Sequence, residues 1–139
     1  MFKLSNIVRI ILGIIYLMGA LINLLFAMQN PGIYQTFSDF AVIPFYKTLW
    51  GSLVMPNITI CLLPVIAFEI IMVILILSKG SLVKIGLMGG IAFNLMLIPF
   101  WWSGWALINL AMALIQILLL RGKYEATIWE ILRSRFRKE

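Results

Sequence analysis

The chain has 139 residues, of which 63% are hydrophobic and 12% charged, where an ordinary soluble domain has about 45–50% apolar and about 25% charged residues. That balance excludes a soluble globule and makes lipid the solvent for most of the molecule. Eleven Lys or Arg against five acids give a net charge of +6, which on so apolar a chain points to anionic lipid and away from nucleic acid. There is no histidine and Cys61 is the single cysteine. The usual general base and the commonest metal ligand are therefore missing, and no intrachain disulfide, CxxC pair or thiolate cage can form. No metal site and no catalytic residue are expected.

In chain order, the first apolar run covers 8–28, interrupted by Arg9 and Asn23, and matches the length a bilayer demands. A cleaved signal peptide is the competing reading, but this run exceeds the 7–15 residues of signal cores and Leu25 fits the small-residue cleavage rule poorly. A long outer loop follows over 29–57. Its Tyr34, Phe37, Phe40, Phe45, Tyr46 and Trp50 are too apolar for a solvated linker, so the loop is expected on the bundle or in the interface. Asn57 reads as the N-cap of a second span over 58–77, closed by Lys79 and Gly80. The third span runs over 82–100, with Pro99 disturbing its last turn. A very tight loop leads to the fourth, over 103–120, which Arg121 and Gly122 end. The tail over 123–138 carries Ile128, Leu132 and Phe136 at i, i+4 and i+8 among charged residues, the pattern of an amphipathic helix on a membrane surface. The expectation is one all-α domain over 1–139, a four-transmembrane-helix bundle with an interfacial C-terminal helix.

The charges orient it. Ten of the eleven basic residues fall on one side of a four-span arrangement and only Lys47 on the other, so both termini should be cytoplasmic. Trp50, Trp101, Trp102 and Trp105 mark the outer boundary. The basic tail faces the inner leaflet, where anionic lipid is the expected partner.

Within the spans, Glu69 is the acid placed near mid-bilayer, eleven residues into its helix and hence about 16 Å deep. A charge at that depth costs about 2.5–3.5 kcal/mol on insertion scales, so it should face the bundle interior. Gln116 and the Ile60 carbonyl, freed by Pro64, are the expected partners. Asn23, Asn94 and Asn109 share one level about 8–9 Å below the outer surface. Facing inward, they and Glu69 would form a polar column under an aromatic lid, a ligand pocket or proton-access path, with Tyr16 as a further lining residue. Interhelical amide bonds, worth about 0.6 kcal/mol on average, would place the Asn residues identically. The stripes Gly86-Gly90-Asn94 and Gly19-Asn23-Ala27 indicate close helix packing.

Several features together resemble the DoxX-like family of small four-helix membrane proteins: Gly13 through Asn23 in the first helix, the loop opening Asn30-Pro31-Gly32-Ile33-Tyr34, Pro64 to Glu69 in the second, and Gly80 after it. The resemblance implies a multi-pass protein of a prokaryotic cytoplasmic membrane, with Glu69 at the family's intramembrane Glu, and a role as a subunit of a quinone-linked or sulfur-linked oxidoreductase complex. The lone cysteine argues against thiol chemistry within this chain. The expected function is a non-catalytic subunit or binding module for a quinone or lipid. The alternatives are a small proton-coupled transporter using Glu69 and, with thinner support, a lipid-modifying enzyme.

Overall fold

The computed structural model describes residues 3–100 and 104–137. Trp101, Trp102, Ser103 and Lys138 lie outside the described residues, as does the side chain of Arg135. The described residues are helical apart from short turns and irregular connections, with no strand. Helix α1 spans Leu4–Gln29, α2 Gln35–Asp39, α3 Pro44–Leu49, α4 Ile58–Leu77, α5 Ser81–Leu97, α6 Gly104–Leu119 and α7 Ile128–Phe136. Three helical runs are long and apolar enough to cross a membrane, Leu4–Gln29, Pro44–Leu77 and Ser81–Phe100, and Gly104–Leu119 is a shorter apolar helix. The chain is a multi-pass membrane protein by the length and apolarity of these helices.

The long helices form an arc in which α1 lies along α4, α4 along α5 and α5 along α6. Each buries one narrow stripe and exposes the rest, as helices surrounded by lipid do. On α1 the stripe is Arg9, Leu12, Gly13, Tyr16, Ala20 and Ala27; on α4 it is Ile58, Leu62, Glu69, Met72 and Ile76. These spacings of three and four keep one seam against the neighbour. The α4–α5 contact depends on Gly86, where a Cβ would come within 2.8 Å of Leu75 Cβ and 3.1 Å of the Ile76 amide nitrogen. Any side chain there would push the two backbones apart.

The turn between α4 and α5 needs Gly80, whose φ of 62° is the left-handed conformation that costs glycine least. Arg9 was expected as a flanking charge and is instead completely buried. Its Nε donates to the Ile76 carbonyl at 2.9 Å, its guanidinium also reaches the Ser78 carbonyl and Asn6, and it lies 4.7 Å from the Tyr124 ring centroid. It closes the C-terminus of α4, satisfying carbonyls that the helix leaves open and complementing its dipole. Tyr124 holds the same corner, accepting from the Gly80 amide at 2.6 Å through its carbonyl and donating its hydroxyl to the Leu119 carbonyl at 2.5 Å.

The 29–57 segment folds onto the bundle. A 3-10 turn over Pro31–Tyr34 leads into α2, and from Pro44 the chain is helical without a break to Leu77, through a wide π turn at Trp50–Val54 and a 3-10 turn at Met55–Asn57. Asn57 stands at the N-cap position of α4, as expected, but makes no side-chain cap bond: its Nδ2 donates to the Leu53 carbonyl at 2.9 Å, and the upstream turns serve the first amides of α4. Tyr34, Phe37 and Trp50 stack in succession, with centroids 5.8 and 5.2 Å apart, and Phe100 joins Trp50 at 5.3 Å.

The tail is helical only from Ile128. Thr127 and Glu130 form a reciprocal capping box, Thr127 N to Glu130 Oε2 at 2.8 Å and Glu130 N to Thr127 Oγ1 at 3.1 Å, which fixes the start of α7 at the first residue of the hydrophobic stripe, five residues after the expected beginning of the tail at 123. Glu130 also pairs with Lys79 at 3.1 Å. Ile128 is buried and Leu132 half-buried, while Trp129 and Phe136 are exposed beside Arg133 and Arg137.

Candidate functional site: a half-open cavity beside Glu69

Three hydrogen-bonded clusters place the polar residues. In the first, Glu69 is 6% exposed, and its Oε2 accepts from Asn23 Nδ2 at 2.8 Å. Asn23 Oδ1 in turn accepts from the Tyr34 hydroxyl at 2.5 Å. A chain of donors thus runs from the 31–34 turn through α1 to the acid on α4. Tyr34 is fixed from behind by Trp50 Nε1, which donates to its carbonyl at 2.8 Å. Burial, then the nearby Glu69 carboxyl, push the Tyr34 phenol up to about 12, so it remains a donor at neutral pH.

In the second cluster the Tyr16 hydroxyl accepts from Gln116 Nε2 at 2.8 Å and from Asn94 Nδ2 at 3.1 Å. Asn94 Nδ2 also lies 2.8 Å from the Gly90 carbonyl and 3.2 Å from Gln116 Oε1. All three side chains are at most 3% exposed, and they join α1, α5 and α6. The third is Asn109, whose Nδ2 donates to the Trp105 carbonyl of its own helix at 3.0 Å.

Two glycines make these clusters possible. A Cβ on Gly19 would stand 2.5 Å from Glu69 Oε1, and one on Gly90 would stand 2.6 Å from Gln116 Nε2. Each lies four residues before an Asn, Gly19 before Asn23 and Gly90 before Asn94. The small-residue stripes thus admit polar side chains rather than only neighbouring backbones.

Between the clusters lies a cavity of about 430 Å³, within the range of small-molecule sites, about 300–1,000 Å³. Tyr16 and Asn94 form its floor, Glu69, Asn23 and Gly19 one wall, Asn109 and Met112 the opposite wall, and Tyr34, Phe37 and Phe26 its roof. Of the six residues expected at a site, Glu69, Asn23, Asn94, Asn109 and Tyr16 all line it. Gln116 is not among the lining residues; fully buried, it braces the floor.

The expected partners of Glu69 are corrected. Gln116 bonds Tyr16 and Asn94 because α6 packs chiefly on α5. The Ile60 carbonyl is nine residues away, about 13 Å along the helix axis, and Ile60 sits on the exposed face of α4. Asn23 takes the place of both. Tyr34 and its bond to Asn23 were missed; its place at the end of Asn-Pro-Gly-Ile-Tyr, a turn returning to the bundle, was the available signal.

Among the described residues no cluster of His, Cys, Asp or Glu could hold a metal ion. No family model, curated protein or solved structure matches this chain.

Proposed function

We propose that the protein is a membrane-embedded binding module that holds a small lipophilic molecule, of the quinone or lipid class, in the cavity beside Glu69. The observation that carries this reading is the cavity itself: an apolar and aromatic enclosure with an acid and three amides gathered on its walls, the composition of ligand sites in general. In this role it is a non-catalytic subunit. With no histidine and one cysteine, electron or thiol chemistry belongs to a partner subunit or a bound cofactor, in keeping with the DoxX-like resemblance.

The reading includes a four-span bundle in a cell membrane, α6 being the fourth span, with both termini cytoplasmic as the basic flanks demand. A reporter fused after Glu139 should then prove internal; an external signal would remove this topology. The exposed Trp129 and Phe136 beside Arg133 and Arg137 suit α7 to an anionic leaflet. Purification from native membranes followed by lipid mass spectrometry tests the binding role. A retained lipophile that Glu69→Gln or Asn109→Leu releases supports it, and a bundle retaining none counts against it.

The bonded series Tyr34, Asn23, Glu69 favours a second reading, a small proton-coupled transporter in which Glu69 exchanges protons with the loop end. Loss of proton-driven flux in Glu69→Gln with folding intact is its signature; unchanged flux removes it.

A further inference from the structure

The polar groups around the cavity are unevenly engaged. Asn23, Asn94 and Asn109 each direct the amide nitrogen at a protein oxygen, and the Tyr34 and Thr36 hydroxyls donate to Asn23 and to the Ile33 carbonyl. The Tyr16 hydroxyl already receives two donors. The Tyr16 O–H and the second N–H of Asn23 and of Asn109 remain as neutral donors, and Glu69 supplies the one acidic group and the strongest acceptor among the lining residues. No Lys or Arg is among the residues lining the cavity, and the buried Arg9 is held at the far end of α4 by Ile76 and Ser78. An acid in a low-dielectric enclosure without a protein cation attracts a guest that brings one.

The cavity also has a side. At the floor α1 and α6 are joined through the Tyr16–Gln116 bond. Beyond it the rim is made of exposed apolar residues, Ile15 and Ile22 on α1 and Ile108 on α6, which in a bilayer meet acyl chains. A tail can leave there without crossing water.

We infer that the cavity accepts a single-tailed lipophilic amine, its ammonium against the Glu69 carboxylate and its tail passing between α1 and α6 into the bilayer. This rests on the binding-module reading and narrows it: a quinone brings no positive charge to the one acid of the lining, and a fatty acid adds a second negative charge.

The test uses the full chain in phosphatidylcholine nanodiscs, with empty nanodiscs correcting for partition. Four probes, dodecylamine, dodecanol, dodecanoate and a decyl-substituted quinone, are ranked by native mass spectrometry and by competition. The expected order places dodecylamine at least about tenfold tighter than dodecanol, a difference of about 1.4 kcal/mol, with dodecanoate and the quinone weaker still. Glu69→Gln should bring the amine down to the alcohol. Should that variant not fold, the ranking in the unmodified protein still decides. Dodecanoate or the quinone binding as well as the amine would overturn the amine assignment while leaving the binding role intact. Retention of none of the four would overturn both.

Discussion

Tyr16→Phe isolates the bond that closes the floor of the cavity. The substitution keeps the ring, which packs in the core formed by Leu12, Met72, Ile76, Val83 and Leu87, so no void opens and only the hydroxyl is lost. Its two donors fare differently. Asn94 Nδ2 keeps the Gly90 carbonyl at 2.8 Å and Gln116 Oε1 at 3.2 Å, whereas Gln116 Nε2 loses its 2.8 Å acceptor in a fully buried position. A buried donor left unpaired costs about 1–3 kcal/mol in soluble proteins. Between membrane helices the average is about 0.6 and the largest about 1.7 kcal/mol, since lipid-embedded unfolded helices find other partners. The expected loss is therefore about 1 kcal/mol, roughly a fivefold shift of the unfolding equilibrium. Reversible unfolding in mixed micelles measures it, and a double-mutant cycle with Gln116→Leu should return a coupling of at least about 0.5 kcal/mol. A loss under about 0.3 kcal/mol, with no coupling, would refute the claim that this hydroxyl ties three helices together.

Arg9→Met should destabilise by about 2 kcal/mol, because two to three charged hydrogen bonds and a helix-end charge disappear together; an unchanged thermal midpoint would show that the guanidinium is dispensable. Gly19→Ala places a Cβ 2.5 Å from Glu69 Oε1, so the carboxyl must turn from Asn23, and retention of a lipophile should fall about fivefold if that bond is worth about 1 kcal/mol; equal retention contradicts the geometry of the wall. The exposed Glu130 carboxyl is held below its ordinary value of 4.5 by the Thr127 amide first and then by Lys79. A lowered carboxylate contributes stability above its unfolded value and loses it as pH falls through the folded one. Trp129 emission should therefore report loosening of α7 below about pH 4.5, and Glu130→Gln should abolish that transition; an identical acid transition in the variant would assign it elsewhere.

The membrane character and several helix ends were legible because they follow from local quantities. Apolar runs of bilayer length, Gly80 after Lys79, Pro99 near the end of the third run and Gly122 after Arg121 each act within a few residues, and α4 ends at Leu77 as hydropathy alone implies, whereas the helical run that contains it starts at Pro44, inside the expected outer loop. Thr127-x-x-Glu130 was equally local and went unread. That Glu69 and three amides would gather was also within reach, since helix rise converts residue number to depth in a bilayer. Depth says nothing about azimuth.

Which helix stands beside which is decided by side-chain packing between segments far apart in sequence. Gly86 lets α5 close on α4, and α6 then packs on α5, so Gln116 meets Tyr16 instead of Glu69. Asn23 reaches Glu69 only because Gly19 leaves room for the carboxyl, and Arg9 enters the core because the C-terminus of α4 ends beside it. One-dimensional spacing determined that polar groups must hide from lipid; the lateral order of the helices determined with which partner each one hides, because a hydrogen bond needs contact within about 3 Å and that proximity exists only once the helices have assembled.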